Sequence, residues 1–219
     1  MTNTLHRRGS RESLQGDYVV FATTAGGYNR EGSAEKLRTF MRIALKHNPV
    51  NISVSKRGVK DNPPPTPSRE GNKKDLNEMI ENMADGSGAA CAFDNLSSAR
   101  DMLLDLKEAD LGISINVSGL LDEVDECCKG IGINRHSVEH SLGISGQIER
   151  LPNREILELN TLCGHGMISF NLIKRMIDLV KLNKLTPKQA AEYMAKPCVC
   201  GVFNPKRAEM ILTTVKSLG

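Results

Sequence analysis

Two short cysteine motifs frame the chemistry this chain can carry. The first is Cys163-Gly164-His165-Gly166 and the second is Cys198-Val199-Cys200-Gly201. Thiolates and imidazoles are the ligands that hold zinc and iron–sulfur centres. Cys-x-His followed at a distance by Cys-x-Cys is neither the usual zinc spacing nor a ferredoxin run. Three thiolates from Cys163, Cys198 and Cys200 can hold an iron–sulfur cluster, a 4Fe-4S cubane, with one iron left open to substrate, water or another ligand. That is the reading carried forward. His165 can instead complete a Cys3His zinc site. A third reading is metal-free thiol chemistry, with Cys163 as nucleophile and His165 or His136 as base. The plainest reading is three cysteines in tight turns that bind nothing.

The motifs are far apart in sequence, so a structural element must return the second to the first. Ile168, Leu172, Ile173, Met176, Leu179 and Val180 mark an amphipathic helix over 167–183, ~25 Å long at 1.5 Å per residue. Thr186-Pro187-Lys188-Gln189 is a capping box with proline at the first helical position, and it opens a return helix over 187–195 of ~14 Å. An antiparallel hairpin of this kind, with its flanking loops, can bring Cys198 and Cys200 back to Cys163. Both cysteine loops precede helices, whose positive N-terminal ends favour thiolate. No Asp or Glu lies between Thr161 and Phe170 or between Ala195 and Phe203 to oppose it.

The other cysteines fit packing better. Cys127 and Cys128 fall three and four residues after Val124 on the apolar face of a helix, and Cys91 sits in a strand of small residues. Buried free cysteine behaves as a small hydrophobe. Beyond the cysteines, Gly26 and Gly27 lie in a glycine-rich loop between a strand and a helix, the layout that cradles anions. The string TTAGGYNREGS matches neither the P-loop nor the dinucleotide fingerprint. Arg135 and His136 precede an alternating stretch, Val138 to Ile144, and are candidates to hold and protonate a substrate. His140, on the apolar side of that stretch, reads as a core residue.

These side chains need a scaffold. Residues 1–16 read as a flexible basic arm, either a plain solvated terminus or one in which Arg7, Arg8 and Arg11 contact phosphate or an acidic partner. Tyr18 to Ala22 is a continuous apolar strand, and Val50, Ile52 and Val54 mark a strand with one buried face. A Pro-rich loop fills 56–75. Strand and helix then alternate to residue 150, with strands at 89–93, 111–117 and 138–144. The pattern predicts an α/β layered fold over 17–150 with a mixed or parallel five-stranded sheet. A ferredoxin-like α+β arrangement is the alternative, because several strands alternate instead of running apolar. Residues 151–219 read as an all-helical unit that bears the metal site.

Composition narrows the functional classes. Aromatics make up 4% of the 219 residues, with no Trp, and the net charge is +3. Both argue against nucleic-acid binding, which uses aromatic stacking and a strong basic face. No stretch reaches the ~18 apolar residues of a membrane span, and no signal peptide is visible, so a cytoplasmic protein is expected. In that compartment cysteines serve metals or catalysis in preference to disulfides. The expected function is a metal-binding protein acting on a small anionic substrate, as an iron–sulfur-dependent lyase or a redox or sulfur-transfer enzyme. An accessory protein that docks a protein partner around a structural zinc or iron–sulfur site is the alternative. Self-association is compatible with either.

Overall fold

The computed structural model of this chain describes residues 6–55, 76–198 and 200–217. The expected Pro-rich loop at 56–75 lies outside the described residues. The elements that build the sheet layer are β1 (Tyr18–Thr23), α2 (Ala34–Lys46), β2 (Asn51–Ser55), α3 (Leu76–Glu81), β3 (Gly88–Phe93), α4 (Leu96–Ala109), β4 (Ser114–Ser118) and α5 (Leu121–Gly130). A short helix, α1 (Arg11–Leu14), precedes them. After α5 come α6 (Arg154–Thr161), α7 (Phe170–Lys181), α8 (Pro187–Ala195) and α9 (Pro205–Ser217). The protein is thus a mixed α/β structure with nine α-helices among the described residues.

The sheet has four strands in the order β2-β3-β1-β4, and every neighbouring pair is antiparallel. The expected five-stranded mixed or parallel sheet is therefore corrected. The physical reason is that β3 inserts between β1 and β2. Each β-α-β unit keeps its two strands in the same sense but splits them around a strand of the other unit. That is the split β-α-β connectivity on which a ferredoxin-like arrangement is built. The fifth strand does not form. Residues 134–150 are exposed throughout, Leu142 at 92%, and their only regular element is a short 3-10 turn, Ile148–Arg150. Alternation without a neighbouring strand makes no sheet. His140, expected in the core, is exposed there as well.

Alternating residues on the strands send side chains to two cores. Tyr18, Val20, Ile52, Val54, Cys91 and Phe93 pack with α2 and α4 on one face, joined by Val124, Cys127 and Cys128 of α5. Val19 and Ala92 point to the other face and meet Ile156, Leu159, Ile173, Met194, Phe203 and Leu212 of the C-terminal helices and loops. This accounts for the continuous apolar run of β1, which is covered on both sides. It also corrects the one-faced reading of β2. Asn51 and Ser53 are polar yet buried, at 0% and 3% exposure, because the C-terminal layer covers them. Asn51 Nδ2 donates to the Phe203 carbonyl at 2.9 Å.

Where the glycine-rich loop after β1 runs into α2, amides at the helix start are already taken. Asp85 already occupies the start of α2, where its carboxylate accepts from Gly32 N at 2.9 Å and Ala34 N at 2.8 Å. Ser33, at the N-terminus of α2, makes no side-chain cap bond, and its Oγ accepts from Gly86 N instead. The Gly32 amide first, then that of Ala34, holds the Asp85 carboxyl below its ordinary value of 3.8. A depressed carboxyl contributes stability above that ordinary value and loses it as pH falls through the folded-state value. Asp85→Asn should therefore melt lower than wild type at neutral pH, and the two melting curves should converge in acid once pH falls below the depressed folded-state value. Thermal melts across pH 2–7 check this.

Candidate metal centre

The first cysteine loop leaves the C-terminus of α6. Cys163 N bonds back to the Asn160 carbonyl at 3.3 Å, and Asn160 Nδ2 reaches forward to the Ile168 carbonyl at 2.6 Å. The same helix end therefore holds both sides of the loop. The second loop leaves the C-terminus of α8, with Cys198 N bonded to the Ala195 carbonyl at 3.0 Å. Its exit is fixed by Asn204, whose Oδ1 accepts from Arg207 N at 2.9 Å and so caps the first turn of α9. Gly201 lies at φ 61° against the backbone of β2, where an added Cβ would stand 2.3 Å from the Ile52 carbonyl oxygen. The second loop is therefore pressed directly onto the sheet edge.

The α7–α8 hairpin brings the two loops together. The sulfurs of Cys163, Cys198 and Cys200 all lie within 4.8 Å of one another, and Cys198 and Cys200 Sγ stand 3.6 Å apart. Cys163 and Cys198 are buried and Cys200 is half-buried. No His, Asp or Glu joins this group among the described residues. The thiols of Cys198 and Cys200 both hydrogen-bond to Cys163, and this pulls the Cys163 thiol far below its ordinary range. The backbone amides of His165 and Met167 add to the effect. Its partners move the other way. Cys198 is raised first by its bond to Cys163, and Cys200 by its bonds to Cys163 and then Cys198. The three sulfurs act on one another as a single coupled group, with further loop amides, of Phe203 and Val202, on Cys198 and Cys200.

The donors differ from those expected. Cys163 and Cys198 follow helix C-termini, and the starts of α7 and α9 are capped by the side chains of Ser169 and Asn204. Loop amides, not helix ends, favour thiolate here. His165 contributes its backbone amide while its side chain is exposed and outside the sulfur group. The other expected site residues stand elsewhere. Arg135 pairs with Asp125 at 2.6 Å and donates to the Leu121 carbonyl at 3.3 Å, at the far end of α5. His136 is exposed beside it. Gly26 and Gly27 are exposed in the β1–α2 loop, with Arg30 beside Gly26. Cys91, Cys127 and Cys128 lie in the core on the opposite face, each with its thiol raised first by burial.

From Arg7 to Asp17 the N-terminal arm packs against the two cysteine loops and the start of α9. The Arg7 side chain, 4% exposed, pairs with Asp17 at 2.6 Å, and Arg207, fully buried, pairs with the same carboxylate at 2.8 Å. Asn204 Nδ2 donates to Asp17 Oδ1 at 3.1 Å and to the Gly16 carbonyl at 2.8 Å. Ser13 Oγ and Arg154 meet the buried Glu158 at 3.2 and 2.8 Å. Arg11, expected to seek a partner's phosphate or acid, instead meets Asp122 and Glu123. A basic residue followed at a short interval by Asp17 is too common a pattern to announce such a network.

No helix among the described residues is long and apolar enough to cross a membrane. Comparison with protein-family models, curated proteins and solved structures finds no match, so the geometry carries the functional reading.

Proposed function

We propose that Cys163, Cys198 and Cys200 bind one soft metal ion, held as zinc is held, with a fourth coordination position open to a small ligand. The observation that carries this is the sulfur spacing. A tetrahedral ion with Zn–S bonds of about 2.3 Å sets its sulfurs about 3.8 Å apart. Cys198 and Cys200 stand at 3.6 Å, and all three sulfurs fit within 4.8 Å. Three protein ligands with an open fourth position is the pattern of catalytic zinc, whereas structural zinc is closed by four. The ion would supply Lewis acidity toward a bound water or substrate oxygen. Cys200, the least buried of the three, marks the side from which a ligand approaches.

An iron–sulfur cluster is the second reading. The amides of His165, Met167, Val202 and Phe203 directed at the three sulfurs support it, since such donors tune clusters. A cubane puts each thiolate on a different iron and so requires the sulfurs to spread from their present spacing. Anaerobic purification with metal and acid-labile sulfide analysis decides between the two. We expect about one metal ion per chain and no sulfide. About four irons with matching sulfide per chain would replace the single ion by a cluster. A protein with neither metal nor affinity for Zn2+ sinks both readings.

A further inference from the structure

We propose that Arg7 is a positioning residue of the cysteine centre, a role that rests on the metal-binding reading above. Its guanidinium bonds both cysteine loops at once. Nη1 donates to the Thr161 carbonyl at 3.4 Å and Nη2 to the Val202 carbonyl at 2.6 Å. Thr161 stands two residues before Cys163, and Val202 two residues after Cys200. One side chain from the start of the chain therefore ties together two loops that the α7–α8 hairpin separates. A second tie runs beside it, from Arg8 N to Thr161 Oγ1 at 3.0 Å.

The guanidinium is not free to leave this position. Its Nε is held by Asp17 at 2.6 Å, in a pair whose side chains are 4% and 0% exposed. Asp17 is in turn fixed by Arg207 and Asn204, the residues that open α9. Moving Arg7 off the loops would strip the buried Asp17 carboxylate of one of its two guanidinium partners. Three separate acceptors, one each on Nε, Nη1 and Nη2, suit the rigid fork of arginine, and a lysine ammonium cannot reach all three. Such outer hydrogen bonds orient metal ligands, and their loss typically weakens metal affinity by about 10–100-fold. Because coupling between two sites is reciprocal, metal at the cysteines must also tighten the arm.

The test measures Zn2+ affinity by competition with a chromophoric chelator. Wild type is compared with Arg7→Gln, Arg7→Lys and Arg11→Ala. We expect binding about 10–100-fold weaker for Arg7→Gln, partial rescue by Arg7→Lys, and no change for Arg11→Ala, which lies on the same arm but meets only Asp122 and Glu123. A purely structural arm would lower the melting temperature of these variants without moving their affinity. Hydrogen exchange on the wild-type protein supplies the measurement that needs no variant. Amides of residues 6–17 should gain protection when Zn2+ is added. Wild type that binds Zn2+ while Arg7→Gln binds equally well overturns the positioning role and leaves the metal centre standing. If Arg7→Gln does not fold, arm exchange unchanged by Zn2+ overturns it equally. Wild type that fails to bind Zn2+ removes the metal centre itself, and the positioning role with it.

Discussion

Cys163→Ser, Cys198→Ser and Cys200→Ser should each purify with less than about a tenth of the wild-type metal, whereas Cys91→Ser and Cys127→Ser keep all of it. Losing an outer hydrogen-bond partner already costs about 10–100-fold in metal affinity, and losing one of three ligands costs more. A serine hydroxyl is not ionised near neutral pH and does not replace a thiolate. Stability alone does not separate the two groups. All five cysteines are buried or half-buried, and a hydroxyl left without a partner costs about 1–3 kcal/mol wherever it is placed. Metal content separates them because Cys91 and Cys127 lie across the sheet from the centre. His165→Ala belongs in the same experiment. With its side chain outside the sulfur group, the variant should retain its metal, and loss of metal there would make the imidazole a fourth ligand. Retention of metal in Cys198→Ser would remove the proposed site.

How much of this was legible in the sequence depends on whether the deciding contacts are local. The α7–α8 hairpin was legible because its stripe and capping box are local signals. Thr186 and Gln189 make both bonds of the box, and α8 begins and ends where the sequence places it. The helix lengths allowed Cys163 to meet Cys198 and Cys200 without requiring it, and the three sulfurs do converge. The sheet was legible as strands and helices, but its split topology only as an alternative. A β-α-β unit whose strands are adjacent and one split by an inserted strand carry the same local pattern. Asn51 and Ser53 looked like the wet side of a strand. They are polar because loop backbone lies against them, and nothing within β2 says so.

The arm was least legible. Arg7 meets Thr161 and Val202 across 154 and 195 positions of sequence, and Arg207 meets Asp17 across 190. No periodicity encodes a side chain that bonds carbonyls so distant. Residues 138–144 failed in the opposite direction, with a clear alternation and no neighbouring strand to pair with. A strand is a property of two segments, so pattern in one of them does not suffice.

Gly201→Ala carries the second large effect, and its size follows from two separable terms. At φ 61° an L-residue pays roughly 1–2 kcal/mol for the left-handed conformation. The new methyl would also stand 2.3 Å from the Ile52 carbonyl oxygen and 2.7 Å from Ser53 Cβ. Both belong to β2, which is hydrogen-bonded into the sheet through β3, so neither can withdraw as a flexible side chain would. Overpacking of this kind adds about 1–3 kcal/mol or more. The sum predicts a melting temperature lowered on the order of 10 °C in a chain of this size. The loop can escape the clash only by lifting from the sheet, and Cys200, the preceding residue, moves with it. Metal affinity should therefore fall together with stability. Gly166→Ala is the matched comparison in the other cysteine loop. Its φ is 64°, but nothing lies within 4 Å of an added Cβ. It carries the conformational term alone, about 1–2 kcal/mol, and should keep its metal. Equal melting temperatures for the two variants would mean that the second loop does not press on β2, and the seating of Cys200 against the sheet would then be wrong.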